Sequence, residues 1–350
     1  MTFDTFAAAN TRRGFFSLFE GMIRRHEGRI FLIKGGPGTG KSSFMKAVAD
    51  AAQAKGYTVE RIHCSSDPAS LDGVRIEQKG VLILDATAPH CADPEYPGVR
   101  EHLLPFGEFW DAGKLAPHRK EILSLTRGIS GEFSVIYRYL AAAGEIRQSV
   151  TDLLAPAFDR EKAVRAVRRI LRQSAVLPSG GGKVTARFVS AFGRDGTEQF
   201  DKTLAADRIV LLNDAFDAAH LWTQTVRDEI EAAGQNAVLF LDPLDPERVD
   251  HILLPDASLA FVTRSYRLPF AAENAEKVVA LRAFLDRETP ARHKNKLRFA
   301  KKMLRALYRE VSQSLAREKD LHDALESFYI RAMDFDRLSA FTEDFIQREI

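Results

Sequence analysis

The chain is short of cysteine: Cys64 and Cys91 are the only two in 350 residues. Two thiols make no disulfide framework, which excludes a cross-linked secreted scaffold and makes the reducing cytoplasm the expected location. Long hydrophobic runs are missing as well. No apolar stretch approaches the roughly 20 residues needed to span a bilayer. The start, Met1-Thr2-Phe3-Asp4, lacks the basic-then-apolar pattern of a secretion signal. Net charge is small, since 50 Lys and Arg against 48 Asp and Glu leave a formal +2. That balance gives no general argument for a nucleic-acid or membrane partner. With 45% apolar and 28% charged residues the chain is globular rather than disordered, and its length suits two ordinary domains.

What is present is more specific. Gly35-Gly36-Pro37-Gly38-Thr39-Gly40-Lys41-Ser42 spells G-x-x-x-x-G-K-[ST], the pattern of a phosphate-binding loop. Ile30-Phe31-Leu32-Ile33 reads as a buried strand before it. Behind it, Phe44, Met45, Val48, Ala49 and Ala52 fall at helical spacing over 43–54. Phosphates then lie on a helix N-terminus, where unpaired N–H groups and the helix dipole favour negative charge. Gly35, Gly36, Pro37, Gly38, Thr39, Gly40, Lys41, Ser42 and Ser43 are therefore the expected contacts of a nucleoside triphosphate. Lys41 is expected on the β- and γ-phosphates and the Ser42 hydroxyl on Mg²⁺.

The chain also repeats itself. Arg29-Ile30-Phe31-Leu32-Ile33 matches Arg208-Ile209-Val210-Leu211-Leu212, 179 positions on. Asp67-Pro68-Ala69-Ser70-Leu71-Asp72-Gly73-Val74 matches Asp245-Pro246-Glu247-Arg248-Val249-Asp250-His251-Ile252 at 178. Gly56 and Gly234 each close a helix, and Phe158-Asp159-Arg160 matches Phe335-Asp336-Arg337 at 177. The expected organisation is a first domain over 1–177, a glycine-rich flexible linker over 178–183 and a second domain over 184–350. Each half should open with a short strand, near 5–8 and near 187–192, followed by a helix over 15–25 and a shorter counterpart. Strand, loop, helix, strand, the D-P-x-x-[LV]-D segment and a third strand come next, and helices close each half over 117–172 and 275–348. Alternating elements predict parallel sheets with right-handed crossovers and a ligand at the strands' carboxyl ends.

Comparing the copies separates scaffold from chemistry. The second reads Asp214-Ala215-Phe216-Asp217-Ala218-Ala219-His220-Leu221, so His220 replaces Lys41, Leu221 replaces Ser42 and no glycine remains. Two added aspartates oppose a triphosphate there. Asp67 and Asp72 persist as Asp245 and Asp250, which favours a structural role in turns. Asp85 ends the apolar run 81–84, becomes Thr263, and is the candidate second ligand of Mg²⁺. His90, with Asp93 nearby, is a candidate to orient water or an acceptor hydroxyl; the alternative is a turn histidine. His63-Cys64 and His90-Cys91 contain a zinc ligand set, but adjacent residues of a strand face opposite sides, which argues against one shared metal. The basic stretches 160–172 and 296–309 read as solvated helix faces before nucleic-acid surfaces.

The loop, together with His63-Cys64-Ser65-Ser66-Asp67-Pro68, Leu71-Asp72-Gly73, Asp85-Ala86-Thr87-Ala88-Pro89-His90 and Asp93-Pro94-Glu95-Tyr96-Pro97-Gly98, resembles a little-characterised bacterial family of duplicated P-loop proteins, described as ATPases or nucleotide kinases. The likeness covers nearly the whole chain. It implies ATP binding and a P-loop fold, and supplies no substrate. Members often carry the loop in both halves; this chain departs there. The expected fold is α/β, two tandem P-loop NTPase-like domains of parallel sheets flanked by helices with helical additions, the second degenerate. The expected activity is a Mg²⁺-dependent ATPase with one competent site, Lys41, Asp85 and His90 being the candidate catalytic residues. ATP is preferred over GTP because no N-K-x-D motif occurs. The alternatives are a small-molecule or nucleotide kinase using Arg119 and Arg127 on a helical lid, and an ATP-dependent switch that hydrolyses negligibly. Arg264 or Arg267 is the candidate arginine finger across the halves. A protein partner or an oligomer is left open.

Overall fold

The computed structural model describes residues 2–174, 176, 180–271 and 275–350. The first half runs β1 (Thr2–Phe6), β2 (Ala8–Thr11), β3 (Gly14–Ser17), α1 (Phe19–Arg25), β4 (Arg29–Lys34), α2 (Lys41–Ala54), β5 (Val59–His63), β6 (Leu71–Ile76), β7 (Val81–Asp85), β8 (Glu101–Pro105), α3 (Ala112–Leu115), α4 (Arg119–Leu154) and α5 (Arg160–Gln173). The second runs β9 (Val184–Arg187), β10 (Ser190–Gly193), β11 (Gly196–Gln199), β12 (Arg208–Asn213), α6 (His220–Ala232), β13 (Ala237–Leu241), β14 (Val249–Leu254), β15 (Leu259–Arg264), β16 (Ala275–Ala280), α7 (Glu288–Arg292), α8 (Lys294–Ala332) and α9 (Phe335–Glu349).

Two six-stranded sheets result, ordered β1-β5-β6-β7-β4-β8 and β9-β13-β14-β15-β12-β16. The orders superimpose element for element, and so do the irregularities. A register shift at Ile62/His63 between β5 and β6 recurs at Phe240/Leu241 between β13 and β14. Five strands of each sheet run one way, while β6 and β14 run against both neighbours. The middles of β4 (Ile30–Ile33) and β12 (Ile209–Leu212) are wholly apolar because both faces are covered.

Several expectations change. The D-P-x-x-[LV]-D segments lead straight into reversed strands, where Leu71, Val74 and Ile76 are buried, so the sheets are mostly rather than wholly parallel. Residues 275–280 form an edge strand beside β12 rather than the start of a helix. Phe15 and Phe16 lie in the β2–β3 hairpin, and the helix begins only at Phe19. Within the glycine-rich stretch, Gly182 donates its N–H to Gly234 O at 2.7 Å. A Cβ on Gly182 would lie 2.1 Å from the Gln235 backbone. This end is packed, not free, and residues 177–179 lie outside the described residues.

The terminal helices exchange partners. On one face of the first sheet, Phe31, Ile33, Phe44 and Val48 form a core with Leu338, Phe345 and Ile350 from the C-terminal end of the chain. Reciprocally, Trp222, Val226 and Phe261 of the second half pack with Val150 and Leu154 of α4 and Val167 and Ile170 of α5. Asp159 caps α5 through Lys162 N, and Asp334 caps α9 through Arg337 N. The structural spacing here is therefore 175 rather than 177, pairing Phe158-Asp159 with Met333-Asp334. Helices α4 and α8 lie antiparallel, as Gly128 facing Leu321 and Glu132 bonded to Arg317 show. No helix among the described residues is long and apolar enough to cross a membrane.

Candidate functional site

The glycine loop 35–42 joins β4 to α2. Gly38 (φ +67°) and Gly40 (φ +80°, at the cap of α2) take left-handed backbone, which a side chain resists. Lys41 opens the helix. Its Nζ donates to Gly35 O at 2.9 Å and Gly36 O at 2.7 Å, and lies 3.6 Å from Asp85 Oδ2. Asp85 ends β7, the strand paired with β4, so adjacent parallel strands deliver cation and carboxylate to one point. Thr87 ties these ends together: its hydroxyl donates to Gly35 O, accepts from Gly35 N, and its N–H donates to Asp85 Oδ1. The Ser42 hydroxyl oxygen accepts from Leu71 N at 3.0 Å. Burial pushes the Asp85 carboxyl above its ordinary range, Lys41 opposes that, and Asp72 adds to it.

His90 is brought to this carboxylate cluster through Asp72. Its Nε2 lies 3.1 Å from Asp72 Oδ2, Phe19 stacks on the ring with centroids 4.7 Å apart, and Nδ1 is buried with no hydrogen-bond partner among the described residues. A carboxylate at Nε2 makes that nitrogen the donor and leaves Nδ1 as a proton acceptor. Asp72 lies in β6 and pairs with His90 rather than standing in a turn. Asp93 is elsewhere, bonded to Lys34 at 3.0 Å. Pro37, Thr39 and Ser43 lie within the loop and first helical turn, where the Thr39 hydroxyl donates to Gly36 O.

The exchanged helices add residues that no local pattern places here. Gly38 N donates to Glu326 Oε1 of α8 at 3.1 Å. A Cβ on Gly36 would lie 3.0 Å from the Tyr329 ring, on Gly38 2.8 Å from Glu326 O, and on Gly40 2.6 Å from Leu338. The glycines therefore answer to helix packing as well as to any anion. Two clefts of about 230 and 460 Å³ lie elsewhere in the molecule, and the loop lines neither. His322, Asp323 and Glu326 bring ligand atoms within 4.8 Å of one another, but exposed acids commonly gather so without a metal.

In the second half the equivalent place is occupied by a buried ionic network. Asp217 keeps the left-handed backbone of Gly38, at φ +59°, which Asp tolerates better than most residues. Arg147 of α4, 3% exposed, bridges Asp217 at 3.3 Å and Asp242. Arg267 lies 3.6 Å from Asp217 and bonds Asp250 at 3.0 Å. Burial and the charges of Arg248 and Arg147 hold His220 down at about 3, so it is neutral where the first half has a lysine. The arginine-finger expectation fails: Arg267 is locked in this network and Arg264 donates to Asn213 Oδ1, both within their own half. Arg147 had a legible signal, since it interrupts the apolar series Ile136, Leu140, Ala143, Val150 and Leu154 at helical spacing. Glu326 had none. No protein-family model, curated protein or solved structure matches the chain.

Proposed function

We propose that the chain binds one Mg²⁺-bound nucleoside triphosphate, ATP by preference, at the loop 35–42 and hydrolyses it. The observation that carries this reading is the convergence of Lys41, at the start of α2, and Asp85, at the end of β7, 3.6 Å apart beside a left-handed glycine loop. Lys41 would neutralise phosphate charge and the loop amides would hold the β-phosphate. Ser42 and Asp85 suit Mg²⁺: both offer hard oxygen donors, and a cation beside Asp85 would favour its charged form against burial. The metal supplies charge neutralisation on the transferred phosphoryl group. His90, held by Asp72, supplies a proton acceptor at Nδ1. In the second half the residue at the Lys41 position is the neutral His220 and the equivalent loop carries Asp214 and Asp217, so one triphosphate per chain is expected.

A second reading, a triphosphate-dependent switch, is favoured by one contact. Glu326 already accepts the Gly38 N–H, so a phosphate entering there would compete with α8. Replacement tests the single-site claim. Lys41→Ala should weaken ATP-Mg²⁺ binding by about tenfold to a hundredfold, the loss of a charge-assisted contact, while His220→Ala leaves it unchanged. Titration with a fluorescent ATP analogue reads both, and equal losses in the two variants would overturn the single-site reading.

A further inference from the structure

The place above the second half's loop is not wholly filled by the ionic network. A cleft of about 230 Å³ remains there, floored by Ala215, Phe216 and Asp217 and walled by α8. Its size falls below the ordinary range of small-molecule sites, so it suits a ligand of about one ring rather than a nucleotide.

Charge gives the first indication of that ligand. Lys294, Arg298 and Lys301 line the cleft. They belong to a stretch, 294–309, with seven Lys and Arg and no Asp or Glu. Among the described residues the carboxylate pairs of α8 begin only at Arg317 and Lys319. The other basic helix is different: Arg160, Arg165 and Arg168 of α5 pair with Asp228, Glu161 and Glu229. Lys294, Arg298 and Lys301, at the start of α8, thus have no carboxylate ion-pair partner among the described residues.

The lining gives the second indication. Phe216, Leu297 and Leu304 supply an apolar body to the cleft, and Tyr266 borders it with Lys301 and Arg305 over its ring at 5.0 and 5.2 Å. Cations gathered on an aromatic ring can serve a second planar, anionic group. The acid in the floor does not repel such a group strongly, because Asp217 is held between Arg147 and Arg267. Behind it, Arg147 Nη1 is buried with no hydrogen-bond partner among the described residues.

We propose that this cleft binds a small organic anion, an aromatic or apolar body of about one ring bearing one anionic group. The copy that lost its glycine loop would then hold a different ligand from the first half. The two sites are separate, since residues 301 and 326 of α8 lie roughly 37 Å apart along the helix.

The test titrates the full chain by calorimetry with benzenesulfonate as the one-ring anionic probe and with phenol as its uncharged counterpart. Expected is saturable one-to-one binding of benzenesulfonate, at least about tenfold tighter than that of phenol. The double variant Arg298→Glu, Lys301→Glu should weaken probe binding by at least about tenfold, with its melting temperature and ATP-Mg²⁺ binding unchanged. Arg298→Glu alone, at an exposed position, should act in the same direction. Lys41→Ala should leave probe binding intact. Absence of saturable binding, equal binding of phenol, indifference to the charge reversals, or loss in Lys41→Ala would each overturn the proposal.

Discussion

Asp72 and Asp250 occupy matching positions in reversed strands, yet they meet different partners: His90 in the first half, Arg267 in the second. Arg267 cannot accept a proton, whereas His90 Nδ1 is open to do so. The difference lies in side chains a residue apart on the same loop, not in the scaffold. If the first pair positions and deprotonates water, His90→Gln and Asp72→Asn should lower ATP turnover by about a hundredfold or more. Triphosphate affinity should hardly change, because neither residue contacts the loop. Phosphate release and analogue binding, measured on the same preparations, separate the outcomes; parallel losses in both would make the pair structural. Rescue of turnover in His90→Ala by imidazole would support the proton-accepting role.

At the scale of elements, α8 is both the antiparallel partner of α4 and the cover of the glycine loop. Glu326 presents a carboxylate to the amide that would face a phosphate, and Tyr329 lies on Gly36 while stacking edge-on with Trp110 at 5.7 Å. Glu326→Gln keeps the shape and removes the charge. It should raise affinity for ATP-Mg²⁺ by about tenfold, the scale of one charge-assisted hydrogen bond no longer competing. Calorimetric titration checks this, and a fall in affinity would mean that Glu326 assists the ligand. This helix also marks where sequence reading stops. The loop, β4, α2 and β7 were legible because glycine chemistry and apolar runs are local signals. The strand Leu71–Ile76 was hidden because Asp72 is a buried acid in what reads as a turn. The strand Ala275–Ala280 was hidden because its exposed face carries Glu276 and Val278 with no clean alternation. The stripe Leu338 and Phe345 on α9 announces a buried face but cannot say which sheet buries it.

At the scale of the whole molecule, the halves are joined by reciprocal contacts around an approximate twofold. Phe6 and Phe188 exchange backbone hydrogen bonds at 2.8 and 2.9 Å, and Asp111 N to Ala332 O at 2.9 Å is mirrored by Asp286 N to Ala157 O at 3.0 Å. Between the sheets, Arg187 of β9 donates to both oxygens of Glu60 of β5, at 2.5 and 3.1 Å. Burial would raise the Glu60 carboxyl, but Arg187, helped by Arg75 and Thr5, outweighs it and holds it at about 2. A carboxyl depressed from its ordinary 4.5 contributes stability above about pH 4.5 that is lost as pH falls toward 2, about 3 kcal/mol in all. Each half also lacks a helical cover without the other: Phe345, fully buried on the first sheet, alone contributes about 2–3 kcal/mol. A chain cut between Ser179 and Gly180 should therefore yield two fragments that fold together and stay associated at pH 7, as sedimentation would show. Their association should weaken by about a hundredfold between pH 5 and pH 2. In Glu60→Gln the fragments should associate more weakly at pH 7, and this part of the acid dependence should vanish. Fragments that fold and remain apart at pH 7 would mean that each sheet finds its cover within its own half, against the exchange of α4–α5 and α8–α9.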